Sequence, residues 1–168
     1  MSHPFVVAVF SGPTQAATAA RALHTAGVTR EQISIISRNH DEESSYARDM
    51  DGTPGAEIED SRAAARLGEL SGHVLAAIAL VLPGIGPIVA AGPLAAGLGE
   101  AAGHVAGGVA TTLRNAGIGA ERAESLEAAV EGGAILLAVH TVEASVSRIR
   151  SVLQEAGAAA VDTGRWTE

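Results

Sequence analysis

The chain has 168 residues, a formal net charge of -8, no cysteine and only 2% aromatic residues. That length suits one domain, or one domain carrying an insertion, and can bury a core of its own. The missing cysteines exclude disulfides, thiolate metal sites and a cysteine nucleophile. With eleven Lys and Arg in all and no basic cluster, neither nucleic-acid binding nor docking on anionic lipid is expected.

The opening Met1-Ser2-His3-Pro4 lacks a charged start followed by an apolar run. No signal peptide is expected, and the expected compartment is the cytoplasm. Phe5 to Phe10, "FVVAVF", is an apolar, β-branched-rich run that reads as a buried strand. Ser11-Gly12-Pro13-Thr14 breaks it and opens a helix. Ala16, Ala19, Ala20 and Leu23 form the buried stripe of that helix, which stops at Gly27. Ile33 to Ser37 reads as a second strand, so residues 1–38 make a first βαβ half.

Residues 39–60, "NHDEESSYARDMDGTPGAEIED" from Asn39, are acidic, polar and punctuated by Gly and Pro. They read as a mobile surface loop. "DMDG" has the start of a calcium loop without its remaining ligands.

Residues 61–116 are an apolar insertion. Between Leu70 and Gly99 there is no Asp, Glu, Lys or Arg, but "LPGIGP" and "AGP" interrupt the run. Each arm is then about a dozen residues, short of the roughly 20 that a spanning helix needs. Glu69, Glu100, His73 and His104 would also be costly in lipid. The expectation is a Gly/Ala-rich helical hairpin buried in protein. Membrane insertion is possible but not favoured.

Residues 117–168 complete the frame. Ala120 to Glu131 reads as a short amphipathic helix, and "GGAILLAVH" from Gly132 to His140 as a third strand. Glu143 to Ala156 reads as a helix with Val146, Ile149, Val152 and Leu153 on one face, ended by Gly157. Ala159 to Asp162 is an edge strand, with Gly164-Arg165-Trp166 left as tail. The whole predicts an α+β fold: a ferredoxin-like split βαβ sandwich, one antiparallel sheet covered by two helices, with the hairpin inserted between strands 2 and 3.

Three stretches carry a family resemblance: "SGPTQAATAARALHTAGVTREQISIISR", "LPGIGPIVAAGPLAAGLGEAAGHVAGG" and "EGGAILLAVH". They resemble the general stress protein 17M-like (low-temperature-induced) family of bacteria, and "PGIGP" with "AAGPLAA" is the most specific piece. The resemblance implies a bacterial stress-associated protein with no established active site. This chain departs from the pattern at His73 and His104, where small residues are expected.

Those two histidines belong to a repeated phrase. "GELSGHV" spans Gly68 to Val74 and "GEAAGHV" spans Gly99 to Val105, 31 residues apart. On a helix, Glu69 and His73 share a face, as do Glu100 and His104. Rows of small residues, Gly68-Gly72-Ala76 and Gly99-Gly103-Gly107, permit close approach of two helices. With "PGIGPIVAAGP" as a bridging cap, both imidazoles would emerge at one height on one face.

Such a pair suits haem b, held by one neutral imidazole on each side of the iron against surfaces shaved by Gly72 and Gly103. Glu69 and Glu100 would orient the ring N–H groups or lie near the propionates. A metal ion on His73 and His104 is the next reading, ranked lower because di-metal bundles space Glu and His at i,i+3. Beside both stands the reading with no ligand, in which the repeat reflects pseudo-symmetric packing alone. His3, His24, His40 and His140 read as structural or solvated.

No nucleophile elbow, phosphate loop or dinucleotide fingerprint is present, and no enzyme is expected. The large Ala/Gly face predicts a homodimer or higher oligomer formed through the hairpin.

Overall fold

The computed structural model of the protein describes residues 2–38, 78–82, 86–95, 98 and 108–167. Its strands are β1 (Ser2–Phe10), β2 (Ile33–Arg38), β3 (Ile78–Leu82), β4 (Gly86–Ala91), β5 (Ile135–His140) and β6 (Ala160–Thr167). Its helices are α1 (Pro13–Thr25), α2 (Val109–Asn115), α3 (Ala120–Glu131) and α4 (Val146–Glu155). The fold is α+β. One six-stranded sheet runs β3-β4-β2-β5-β1-β6, and every neighbouring pair is antiparallel.

The two central strands explain the layers. In β1 every residue from Pro4 to Phe10 is buried, and so is all of β5. Strands covered on both faces read as continuous apolar runs rather than as alternation, and the structure covers both faces. On one face α1 (Ala16, Ala19, Ala20, Leu23) and α4 (Ile149, Leu153) pack onto Val6, Ala8, Phe10, Ile33, Ile35, Ile135, Leu137 and Val139. On the other, α2, α3 and Leu94, Ala95 and Leu98 pack onto Phe5, Val7, Val9, Ile36, Leu136 and Ala138. The sheet is therefore the middle of three layers, not one side of two. The extra layer comes from the end of the insertion together with α3.

The boundaries of α1 follow its residues. Pro13 sits in the first turn, where its missing N–H costs nothing. The C-terminus closes through the Gly27 and Val28 amides, which donate to the His24 and Leu23 carbonyls at 2.9 and 3.0 Å.

Two expectations need correction. Residues 78–82, expected in the first helical arm, and residues 86–91, expected in the bridging cap "PGIGPIVAAGP", are both strands. β4 pairs with β2 from Ile35↔Ala91 to Arg38↔Ile88, and β3 pairs with β4 from Ile78↔Ala90 to Leu82↔Gly86. The physical reason is the edge of β2. Its outer backbone groups need partners, and the Gly and Pro that shorten the arms leave apolar pieces of strand length to supply them. β6 also runs on through Gly164, Arg165 and Trp166, because β1 begins at Ser2 and supplies partners out to Ser2↔Thr167. The side chain of Phe5 crosses Gly164 so closely that a Cβ there would meet its ring.

Gly92 redirects the chain after β4. Its φ is +83°, and a Cβ would run into the Ile33 carbonyl and Ser34. The chain then crosses β2, where the Leu94 amide donates to the buried Ser34 hydroxyl at 3.0 Å. This contact seats residues 93–95, which are helical, on the face that α2 and α3 complete.

Candidate functional site

The residues of the repeated motif, Glu69, Gly72, His73, Glu100, Gly103 and His104, lie outside the described residues, as do the acidic segment 39–60 and His40. Among the described residues no group of three or more His, Asp or Glu side chains gathers as a metal site, and no helix is long and apolar enough to cross a membrane.

The structure instead brings together two histidines that the sequence places 137 residues apart. His3 lies in β1, and His140 is the last residue of β5. His3 Nε2 and His140 Nδ1 are 2.9 Å apart. The sheet fixes them: β1 runs between β5 and β6, with Phe5 opposite His140 and His3 opposite Trp166. Alternation along a strand then turns His3, Phe5, His140 and Trp166 to the same face, at one end of the layer that α2 and α3 cover. The His140 ring stacks on Phe5 at 5.7 Å and meets Trp166 edge-on at 5.2 Å between centroids. The backbone around it is tied as well. The Thr141 amide donates to the Pro4 carbonyl at 3.0 Å, and Gln32 Nε2 donates to the His140 carbonyl at 3.0 Å.

The electrostatics follow from that packing. His140 is 7% exposed. Burial, with the neighbouring His3 adding repulsion, pushes its pKa down from 6.5 to about 4. At neutral pH it is therefore an uncharged imidazole. Its Nε2 is buried without a hydrogen-bond partner. Of the two neutral tautomers, a proton on Nδ1 donated to His3 Nε2 leaves an unfilled lone pair on Nε2. The other would strand an N–H there, which costs more. The cluster thus sets the buried ring of His140 against that of half-buried His3, beside the chain's single tryptophan. Further along, Arg165 and Glu143 form an exposed ion pair at 2.8 Å.

No local pattern announces this pair. Its only trace in the sequence is a histidine at the end of an apolar strand and another two residues before an apolar strand. Both read as weak without the strand order. Comparison with protein-family models, with curated proteins and with solved structures found no match, so the functional reading rests on the residues themselves.

Proposed function

We propose that this chain is a non-catalytic, self-associating protein of the stress-response type, built on a ferredoxin-like frame and joined to further copies of itself through the inserted segment. Support for the frame comes from four strands ordered β2-β5-β1-β6. β1 and β2, linked through α1, lie on either side of β5; β5 and β6, linked through α4, lie on either side of β1.

The observation that carries self-association is the end of the sheet. Among the described residues β3 is its terminal strand, and its sequence, "IALVL", holds no charge and no proline. Natural edges are usually blunted by charges, prolines or bulges. The opposite edge, β6, carries Asp162 and Arg165.

The registers also say which backbone groups of β3 face outward. Thr141 donating to Pro4 fixes which pairs exchange hydrogen bonds between β1 and β5, and alternation carries that parity across β2 and β4. Ile78, Leu80 and Leu82 bond to β4, so the N–H and C=O groups of Ala79 and Val81 point away from the sheet. Among the described residues they have no strand partner. Two such edges are self-complementary about a two-fold axis. Val81→Pro removes one outward N–H without touching a bond to β4. In analytical ultracentrifugation the wild-type chain sediments as a dimer or larger species and Val81→Pro shifts toward monomer. Wild-type protein that stays monomeric at tens of micromolar overturns the reading.

A second reading, favoured by the duplicated phrase, adds a ligand: the assembled protein holds haem b between His73 and His104. What supports it is the repeat and its tethering. His73 is five residues before Ile78 and His104 four before Gly108, spans of at most about 18 and 14 Å at about 3.6 Å per residue. Ile78 pairs with Ala90, and Ala90 and Val109 belong to one core cluster. The equal-height argument through a bridging cap does not contribute, because residues 78–82 and 86–91 are strands. Titration with haemin tests the reading. A Soret band lost in His73→Ala/His104→Ala supports it, and one that survives removes this axial assignment. A metal ion on the same pair is the outcome if haemin fails and Zn²⁺ raises Tm only when both histidines are present.

A further inference from the structure

We propose that the His3–His140 contact is an acid-operated latch, which holds the start of β1 and the end of β6 against the sheet until a further proton on the pair releases both segments and leaves the rest of the fold closed. The inference stands apart from self-association through β3, at the other end of the strand order, and from the His73/His104 reading.

Proton counting supplies the mechanism. Two neutral imidazoles carry one proton each on four nitrogens. The contact at 2.9 Å holds one proton between His3 Nε2 and His140 Nδ1. When His140 Nδ1 donates it, the other proton of the pair sits on His3 Nδ1. A third proton then has one place left, His140 Nε2, which is buried without a hydrogen-bond partner. A charged N–H there would be enclosed with the stacked Phe5 ring and the edge-on Trp166 ring, an arrangement that strongly disfavours it. The alternative is to open the contact and let solvent reach the ring. Burial, with repulsion from His3 adding to it, holds the His140 pKa near 4 instead of 6.5. The closed contact therefore resists the proton and the open one accepts it. Opening becomes easier as pH falls from 6.5 toward 4.

Topology decides which part opens. β5 ends at His140, opposite Phe5, and Thr141 still donates to the Pro4 carbonyl. Beyond that point, among the described residues, Ser2 and His3 have β6 as their one strand neighbour, through Ser2↔Thr167 and His3↔Trp166. A two-stranded ribbon standing alone is marginal in water. Here the imidazole contact and the Trp166 edge tie the ribbon to the end of β5. Further in, β6 is clamped: the Gly117 backbone lies against that of Arg165, and the Ala116 carbonyl against Gly164. Opening therefore stops short of Gly164, and it uncovers the ring faces of Phe5 and Trp166.

The surroundings offer the added charge no counter-ion. His3 is the titratable group that meets the ring from β1. Arg165 on β6 alternates to the opposite face and is paired with Glu143, which follows β5, at 2.8 Å. From the turn before β2, neutral Gln32 reaches the His140 carbonyl, while Arg30 and Glu31 are exposed. The turn before α3 brings Ala116, Gly117 and Ile118, none of them charged.

Amide hydrogen exchange followed by NMR on the full-length protein, at pH 7 and pH 5 and one protein concentration, tests the latch. The parity of the β1–β5 bonds turns His3, Phe5 and Val7 toward β6, so the Trp166 and Asp162 amides both donate to β1. Protection factors remove the slower chemical exchange in acid. Linkage allows about a twentyfold loss of protection at Trp166 between the two pH values, and screening through half-buried His3 leaves about fivefold. Asp162, inside the clamp, should lose much less. His140→Phe should keep Trp166 protected at both pH values. His3→Ala should already show at pH 7 the low protection that the wild type reaches at pH 5. This variant, at a half-buried position, keeps the fold by circular dichroism and remains informative if His140→Phe does not. Equal losses at Trp166 and Asp162, or none at Trp166, overturn the latch. So does a loss that persists in folded His140→Phe, or full protection at pH 7 in His3→Ala.

Discussion

Replacing His140 with Phe should make the protein markedly less sensitive to acid. Phenylalanine has a similar shape, fits among Phe5 and Trp166, and cannot be charged. In the folded chain the His140 pKa lies near 4, against 6.5 when unfolded. A folded value below the unfolded one means that the unfolded chain takes up the proton first as pH falls. The contribution of His140 to stability is therefore intact above pH 6.5, is lost as pH falls from 6.5 toward 4, and changes no further below that. Between pH 7 and pH 5 the linkage gives a ceiling of about 1.8 kcal/mol. Solvent reaching the pair through half-buried His3 screens part of this, leaving about 1 kcal/mol. For a domain of this size that corresponds to roughly 2–4 °C in Tm. The assay is urea denaturation of wild type and His140→Phe at both pH values and one protein concentration, since association shifts apparent stability. The nineteen Asp and Glu titrate in both proteins and cancel in the difference. An equal loss of stability in the two proteins would refute the buried, neutral imidazole.

Other consequences concern the frame. Gly92→Ala should cost about 2–3 kcal/mol by urea denaturation, because a positive φ coincides with a backbone collision at Ile33 and Ser34. Gly27→Ala, where nothing lies in reach of a Cβ, should cost only about 1 kcal/mol for its φ of +92°; equal costs would argue against the close approach at Gly92. Leu113→Ala, at a fully buried position of α2, should destabilise by about 2–5 kcal/mol. Val142→Ala, 64% exposed, should change stability by less than about 0.5 kcal/mol in the same assay.

Much of the frame was legible because its signals are local. The continuous runs "VVAVF" and "ILLAV" identify strands buried on both sides, Pro13 and Gly27 bracket α1, and Gly157 follows α4. The insertion was not legible for the same kind of reason. "IALVL" and "PIVAA" are short apolar pieces whose periodicity does not separate a buried strand from a buried helix, and what decided between them was the unpaired edge of β2, a property of the assembled sheet. The end of β6 was missed because its polar, Gly-containing sequence takes strand form only where the first residues of β1 lie beside it. The histidine pair is the extreme case. Its members are 137 residues apart, and only the strand order β5-β1-β6 with its register makes them neighbours. The repeated His73/His104 phrase, by contrast, is conspicuous in the sequence, and its residues fall outside those the structure describes.

Hydrogen exchange at the Ala79 and Val81 amides tests self-association through β3 most directly. These two groups point away from β4, so exchange at protein concentrations above the association range should be slowed at least tenfold and should accelerate on dilution. Equally fast exchange at both amides across the whole concentration range, in a chain that still associates, would show that copies meet somewhere other than this strand.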